Sequence, residues 1–351
     1  MKNQKNKLDW NDITIVPETI SSISSRSEIN TFYDGAYSSE DRLPLFVSPM
    51  DTVVDENNYI KFIELGINVC LPRHIKYESL KDDRVFYSYG LDEIISLLDS
   101  DSELPKRVLI DVANGHMLKL LETSKRIKEN SDIELMVGNI ANPETYKKYC
   151  EAGVDWIRVG IGGGSACTTS ANVSIHYPMA SLVNECYEIS KGFDNPTRIV
   201  ADGGFRNYSD IIKALALGSH SVMLGSVFNK CLESCSENFF RINPKLGPSE
   251  YKEITEEDAI SYFNTGGEVY KYYRGMSTKE VQRSWNKKVL KTGEGISKYN
   301  KVEYTLEGWT ENFIDYLKSA MSYTNSRTLL DFIGEVQFIQ ISNTSFDRFN
   351  K

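Results

Sequence analysis

The sequence is short of several features that would place it in a class at once. No apolar run in its 351 residues approaches the roughly 20 that a bilayer span requires. Only six cysteines occur, at 70, 150, 167, 186, 231 and 235, scattered without metal-type spacing. Cys231 and Cys235 stand close together, but no second pair or histidine cluster completes a zinc site. Positive charge is in deficit, with 40 Lys and Arg against 49 Asp and Glu and a net charge of −9. A nucleic-acid surface would carry a basic patch instead, so neither nucleic acid nor membrane is an expected partner. The stretch Met1 to Trp10 is lysine-rich but has no apolar core, so no secretory signal is read. Reduced thiols in a cytoplasmic compartment are the simplest reading.

What is present is a repeat of short apolar runs with helical segments between them. The runs are Pro44–Pro49, Ile67–Leu71, Val85–Tyr89, Val108–Val112, Glu134–Gly138, Trp156–Ile161, Arg198–Asp202 and Ser221–Gly225. Continuous apolar runs of this length suit strands buried on both faces of a parallel sheet. The intervening segments carry helix punctuation. Asp55 is placed to cap a helix running to Leu65 and stopped by Gly66; Asn142 and Pro143 open another, stopped by Gly153; Ser209 opens a third, stopped by Gly218. Eight such units predict an α/β fold of the (β/α)8 TIM-barrel type. A doubly wound open sheet is the rival, weakened because no dinucleotide fingerprint follows the first run.

In a barrel, chemistry gathers at the C-terminal strand ends. There the sequence places Asp51, Arg73, the stretch Asp111 to Gly115, Asn139, the pair Gly203-Gly204 after Asp202, and Gly225-Ser226. Glycine turns after the last two strands are suited to binding phosphate through backbone amides. The sixth run leads into Gly160-Ile161-Gly162-Gly163-Gly164-Ser165-Ala166-Cys167-Thr168-Thr169-Ser170. A thiol at the end of a glycine-dense loop, flanked by two threonine hydroxyls, reads as a nucleophile. The segment Phe228 to Glu294 reads as irregular and polar, and is expected to form a mobile flap over the site, with residues 228–300 as its cover.

These blocks resemble the inosine monophosphate dehydrogenase and guanosine monophosphate reductase family. The likeness runs through Leu8-Asp9-Trp10-Asn11-Asp12, Ser24-Ser25-Arg26-Ser27, Ser48-Pro49-Met50-Asp51-Thr52-Val53, Asp111-Val112-Ala113-Asn114-Gly115, Val137-Gly138-Asn139, the cysteine loop, Ala201-Asp202-Gly203-Gly204-Phe205-Arg206, Val222-Met223-Leu224-Gly225-Ser226 and Tyr273-Arg274-Gly275-Met276-Ser277. The resemblance implies one TIM-barrel domain over residues 1–351 and a homotetramer. Dehydrogenases commonly carry a regulatory pair of repeats after the second strand, for which this chain has no room. Their flap also carries an Arg-Tyr pair, absent between Met276 and Glu294. With the Asp111 to Gly115 block, this favours the reductase branch. A dehydrogenase lacking the insert and a non-catalytic purine-nucleotide binder are the alternatives.

The resemblance assigns roles residue by residue. Cys167 would attack C2 of a purine nucleoside monophosphate, with Thr169 and Glu294 handling the proton of the leaving amine. Ser165, Gly203, Gly204, Gly225 and Ser226 would hold the phosphate, Asp202 the ribose hydroxyls, and Gly275, Met276 and Ser277 the base. NADPH, or NADH in its place, would contact Ser25, Arg26, Arg73, Asp111, Val112, Ala113, Ile161 and Gly162. Backbone carbonyls of Gly162, Gly164 and Cys167 would bind K+ and order the loop. The chain departs from the family pattern at Gly163, where proline is usual, and at Ser170 and Met321, where arginine is usual; His176 is a candidate to compensate.

Overall fold

The computed structural model describes residues 6–33, 41–100, 102–242, 250–276, 278, 281, 293 and 295–349. A short strand β1 (Ile13–Ile15) stands outside the main sheet. It is followed by β2 (Leu45–Val47), β3 (Asn68–Leu71), β4 (Phe86–Tyr89), β5 (Arg107–Asp111), β6 (Glu134–Ile140), β7 (Trp156–Val159), β8 (Arg198–Asp202) and β9 (Ser221–Leu224). Strands β2 to β9 form a closed parallel barrel, the ring completed by Leu45, Phe46 and Val47 of β2 against Val222, Met223 and Leu224 of β9. Closure excludes the open doubly wound sheet. Each predicted run lies on one of these eight strands.

The apolar runs have a direct cause. One residue from each strand fills the barrel interior: Phe46, Cys70, Phe86, Leu109, Met136, Trp156, Val200 and Met223. Their neighbours point outward into a second core shared with the surrounding helices, including Val47, Val108, Ile157 and Ile199. A strand buried on both faces has no polar alternate positions. Helix punctuation is as read at one start and at all three glycine stops; Asp55 instead accepts from the Asn57 and Asn58 amides in the turn before helix Tyr59–Glu64, whose N-cap position is Asn58. Asn142 accepts from the Glu144 amide at the start of helix Pro143–Glu151, and Gly66, Gly153 and Gly218 all adopt positive φ. The third helix spans Tyr208–Ala216 and is capped by Asn207 rather than Ser209, because the Asn207 side chain accepts from the Asp210 amide.

Much of the segment read as irregular is regular among the described residues. It holds a four-stranded antiparallel sheet of β10 (Asn238–Ile242), β11 (Glu250–Ile254), β12 (Tyr270–Arg274) and β13 (Ser297–Lys301), in the order β11-β10-β12-β13. Helix Glu256–Asn264 lies between β11 and β12, capped by Thr255. The strands escape notice because they mix aromatics with charges, as in Tyr270-Lys271-Tyr272-Tyr273-Arg274. Even Lys271 is buried, its Nζ donating to the carbonyls of Ser234 at 2.7 Å and Ser236 at 3.0 Å. That bond ties the sheet to the chain leaving β9. A last strand, β14 (Phe338–Gln340), pairs antiparallel with β1. Among the described residues no helix is long and apolar enough to cross a membrane.

Candidate active site

A cavity of about 220 Å³ opens at the C-terminal strand ends. Beneath it stands Arg158 of β7, only 6% exposed. Its guanidinium bridges two carboxylates: Nη1 donates to Asp111 Oδ1 at 2.7 Å, while Nη2 and Nε donate to Asp202 Oδ2 at 2.7 and 3.2 Å. Asn139 Nδ2 adds a bond to Asp202 Oδ2 at 2.7 Å, and Arg73 Nε one to Asp111 Oδ2 at 3.2 Å. Burial opposes ionisation of Asp111, but Arg158 and Arg73 outweigh it and hold its carboxyl below the usual range. Asp202 keeps one oxygen, Oδ1, that accepts no hydrogen bond among the described residues. A fixed carboxylate with one oxygen in reserve is an acceptor for hydroxyls.

Sequence reasoning missed Arg158, although a signal existed. Strand alternation puts it on the same face as Trp156, inside the barrel. An arginine there needs charged partners.

The opposite wall is made of hydroxyls and glycine. Gly203 and Gly204 adopt φ of +90° and +84°, which a residue with a Cβ rarely tolerates. A Cβ on Gly225 would come within 3.1 Å of the Tyr273 hydroxyl. Tyr273 is buried, its hydroxyl lying 3.5 Å from Met50 Sδ, with the Ser165 and Ser226 hydroxyls among the polar groups that act on its phenol. Burial pushes its phenol up, so it stays protonated. Tyr273 is a second residue to which the sequence assigned no role. Beside it, Arg274 Nη2 donates to Asp51 Oδ2 at 2.8 Å, fixing the start of Gly275-Met276 against the end of β2.

Cys167 is half-buried on the same cavity, with Sγ 3.3 Å from Thr169 Oγ1. Its backbone forms an antiparallel bridge with Gly295, and the Ile296 amide donates to the Ala166 carbonyl at 3.0 Å. Glu294 and Ser277 lie outside the described residues. Burial pushes the thiols of Cys70, Cys186, Cys231 and Cys235 up, so they stay protonated.

The structure brings together Cys167, Thr169, Ser165, Asp202, Gly203, Gly204, Gly225, Ser226, Gly275 and Met276, and from the cofactor set Asp111, Ala113, Ile161 and Gly162. Arg73 reaches the cavity through Asp111. Val112 exchanges backbone bonds with Gly138 and Asn139 and does not line the cavity. Ser25 and Arg26 are not brought to it. They open the short helix Arg26–Glu28, and Arg26 Nη2 donates to Ser319 Oγ at 3.1 Å on helix Leu306–Tyr323.

Two of the three carbonyls expected to hold a monovalent cation accept hydrogen bonds within the chain. Gly162 O accepts from the Ser170 hydroxyl at 3.1 Å, and Gly164 O from the Cys167 amide at 2.9 Å. No group of three or more His, Cys, Asp or Glu placed to hold a metal occurs among the described residues.

Comparison with known proteins agrees with this architecture. A model of the IMP dehydrogenase / GMP reductase domain matches residues 101–247. Inosine-5'-monophosphate dehydrogenase of Cryptosporidium parvum is 32% identical over 249 residues, covering 68% of this chain and 55% of that protein. The Helicobacter pylori enzyme of the same name is 28% identical over 307 residues, covering 83% and 58%, and that of Aquifex aeolicus 29% identical over 261 residues, covering 72% and 47%. The chain thus spans about half the length of the curated relatives it matches. With a closed eight-stranded barrel and a cysteine-bearing cavity at its C-terminal face, the chain belongs to the IMP dehydrogenase / GMP reductase family.

Proposed function

We propose that this chain reduces guanosine monophosphate to inosine monophosphate and ammonia. The observation that carries the reading is a half-buried thiol, Cys167, lining a cavity whose other walls are a glycine–hydroxyl cradle and a held carboxylate. The family's members are oxidoreductases that act on purine nucleoside monophosphates with nicotinamide cofactors.

In this reading the amides at Gly203, Gly204 and Gly225, with Ser165, Ser226 and the Tyr273 hydroxyl, bind the phosphate. Asp202 Oδ1 accepts from the ribose. Cys167 passes its proton to Thr169, to which the thiol already donates, and its sulfur bonds to purine C2. The 2-amino group takes up a proton through Thr169 and leaves as ammonia, giving a thioimidate on the sulfur. Covalent capture divides one hard displacement into two easier ones. A reduced nicotinamide, NADPH in preference to NADH, supplies hydride to C2 when bound, with Asp111, Ala113 and Ile161 as its nearest walls. Cys167 then departs as thiolate and the product is released. Glu294 is proposed as the carboxylate behind Thr169, in keeping with the pairing of its neighbour Gly295 with Cys167. A homotetramer and a cytoplasmic location complete the proposal.

One observation favours the second reading, a dehydrogenase oxidising inosine monophosphate to xanthosine monophosphate: the relatives reported above carry that name. The reductase reading rests on the lack of an Arg-Tyr pair between Met276 and Glu294. Incubation of each nucleotide with reduced and oxidised cofactors separates them. The expected outcome is loss of reduced nicotinamide matched by ammonia release from guanosine monophosphate. Xanthosine monophosphate formed from inosine monophosphate overturns it in favour of the dehydrogenase. Cys167→Ala should lower turnover by about 10³-fold or more with its thermal midpoint unchanged.

A further inference from the structure

The carbonyls of the cysteine loop have donors from the chain itself. Asn139 Nδ2 donates to Gly160 O at 2.9 Å, His176 Nδ1 to Ile161 O at 3.0 Å, and the Ser170 hydroxyl to Gly162 O at 3.1 Å. The Cys167 amide donates to Gly164 O at 2.9 Å and the Ile296 amide to Ala166 O at 3.0 Å. From Gly160 to Ala166, five carbonyls of seven are therefore hydrogen-bonded within the protein. A hard cation binds backbone carbonyls by becoming the partner that several of them share. For these five oxygens, Gly162 O and Gly164 O of the expected cation set among them, a partner is already supplied, and by a different donor for each.

Ser170 is the most closely fitted of these donors. Gly162 has φ of +81°, and a Cβ built on it would fall 2.7 Å from Ser170 Cβ. The serine thus packs directly over the glycine, and its short side chain places a hydroxyl on the oxygen beneath. A long basic side chain at this position has no hydroxyl to offer that oxygen. Ser170 also lies in helix Thr169–Val173, immediately after the catalytic thiol and threonine. His176 closes the far end of the loop. Because a carbonyl can only accept, its Nδ1 carries the hydrogen, and its Nε2 lies 3.9 Å from Asp9.

We propose that Ser170, seconded by His176, is the positioning residue of the cysteine loop, and that these hydrogen bonds hold Cys167 in place without an alkali cation. The loop's order is then a property of the chain, independent of which ions surround it.

The test is site-resolved alkylation of Cys167 by iodoacetamide, followed by mass spectrometry, on the full chain in tetramethylammonium buffer with and without added potassium. For the unaltered protein the expected result is an alkylation rate and a turnover that change less than about two-fold on adding potassium, the scale of a weak ionic-strength effect. Ser170→Ala should raise the Cys167 rate by about five-fold, the loss of one ordinary hydrogen bond, and Ser170→Thr should restore it. The other five cysteines act as internal controls, since a general loosening would raise their rates too. A tenfold fall in Cys167 alkylation, or a tenfold rise in turnover, when potassium is added to the unaltered protein would overturn the proposal. So would a Ser170→Ala protein whose Cys167 rate matches the original. The potassium titration needs no variant, and the alkylation readout holds whichever nucleotide the site turns over.

Discussion

The two ends of this barrel carry clusters of partly or fully buried charge built as opposites. At the N-terminal end one carboxylate serves three donors. Glu134 Oε1 accepts from Trp156 Nε1 at 2.7 Å and Arg198 Nη2 at 3.0 Å, and Oε2 from Arg107 Nε at 2.9 Å. The Arg198 guanidinium also stacks on the Trp156 ring, 3.9 Å from its centroid. At the C-terminal end one guanidinium, Arg158, serves two carboxylates, and Asp202 Oδ1 is left over. Both clusters must offset the desolvation of their charges with good geometry. Only the second is surrounded by glycine turns, free hydroxyl capacity and a thiol. A cluster of charge therefore does not by itself mark a site; acceptor capacity left unused beside open space does.

Removing Arg158 should have the largest effect on this contrast. Arg158→Met leaves Asp111 and Asp202 facing each other without their shared cation, and should cost about 3–5 kcal/mol in chemical denaturation. Arg158→Lys keeps a charge but loses the fork that joins the two carboxylates. It should fold and lose at least about tenfold in kcat/KM. At the other end, Glu134→Gln should cost about 1–3 kcal/mol by weakening charge-assisted bonds, with kcat and KM within about two-fold of the original. A Glu134→Gln protein of full stability but low turnover would break the distinction between the two ends.

How much of this was legible follows from burial. The eight barrel strands could be read because each is buried on both faces, so the runs are continuously apolar. Arg158 interrupts one of them and was passed over, although its face was fixed by its spacing from Trp156. The sheet β10 to β13 was not legible. Its strands bury aromatic bodies and even the stem and ammonium of Lys271, so charged letters stand at buried positions. The cysteine loop could be recognised from its glycines, but the Ser170–Gly162 bond could not, because it depends on how a short helix folds back over the loop. Ser25 and Arg26 were assigned by resemblance alone; in this chain Arg26 contacts Ser319 and Ser25 caps the short helix Arg26–Glu28.

Acid should reveal the two ends in sequence. His220 immediately precedes β9 at the N-terminal end. Its Nδ1 accepts from the Ile199 amide at 3.1 Å, and its carbonyl accepts from the Tyr33 hydroxyl. Burial, and then the neighbouring Arg198, hold its pKa down at about 4 against an ordinary 6.5. As pH falls below 6.5 the unfolded chain takes up this proton while the folded one does not, so stability drops until pH reaches about 4 and then levels for this group. The slope is at most about 1.4 kcal/mol per pH unit. Asp111, at the mouth, has its carboxyl held below the ordinary 3.8, so its contribution is present above that value and is lost only as pH falls further. The closed end should therefore weaken first and the mouth second. His220→Asn offers an amide oxygen to the Ile199 amide and does not titrate. Denaturation midpoints measured from pH 7 to 3 should lose most of their slope between 6.5 and 4 in this variant, the remainder belonging to His116, which burial also holds below 6.5, and should keep the fall below 4. A slope that persists undiminished in His220→Asn would show that acid acts first somewhere other than the closed end.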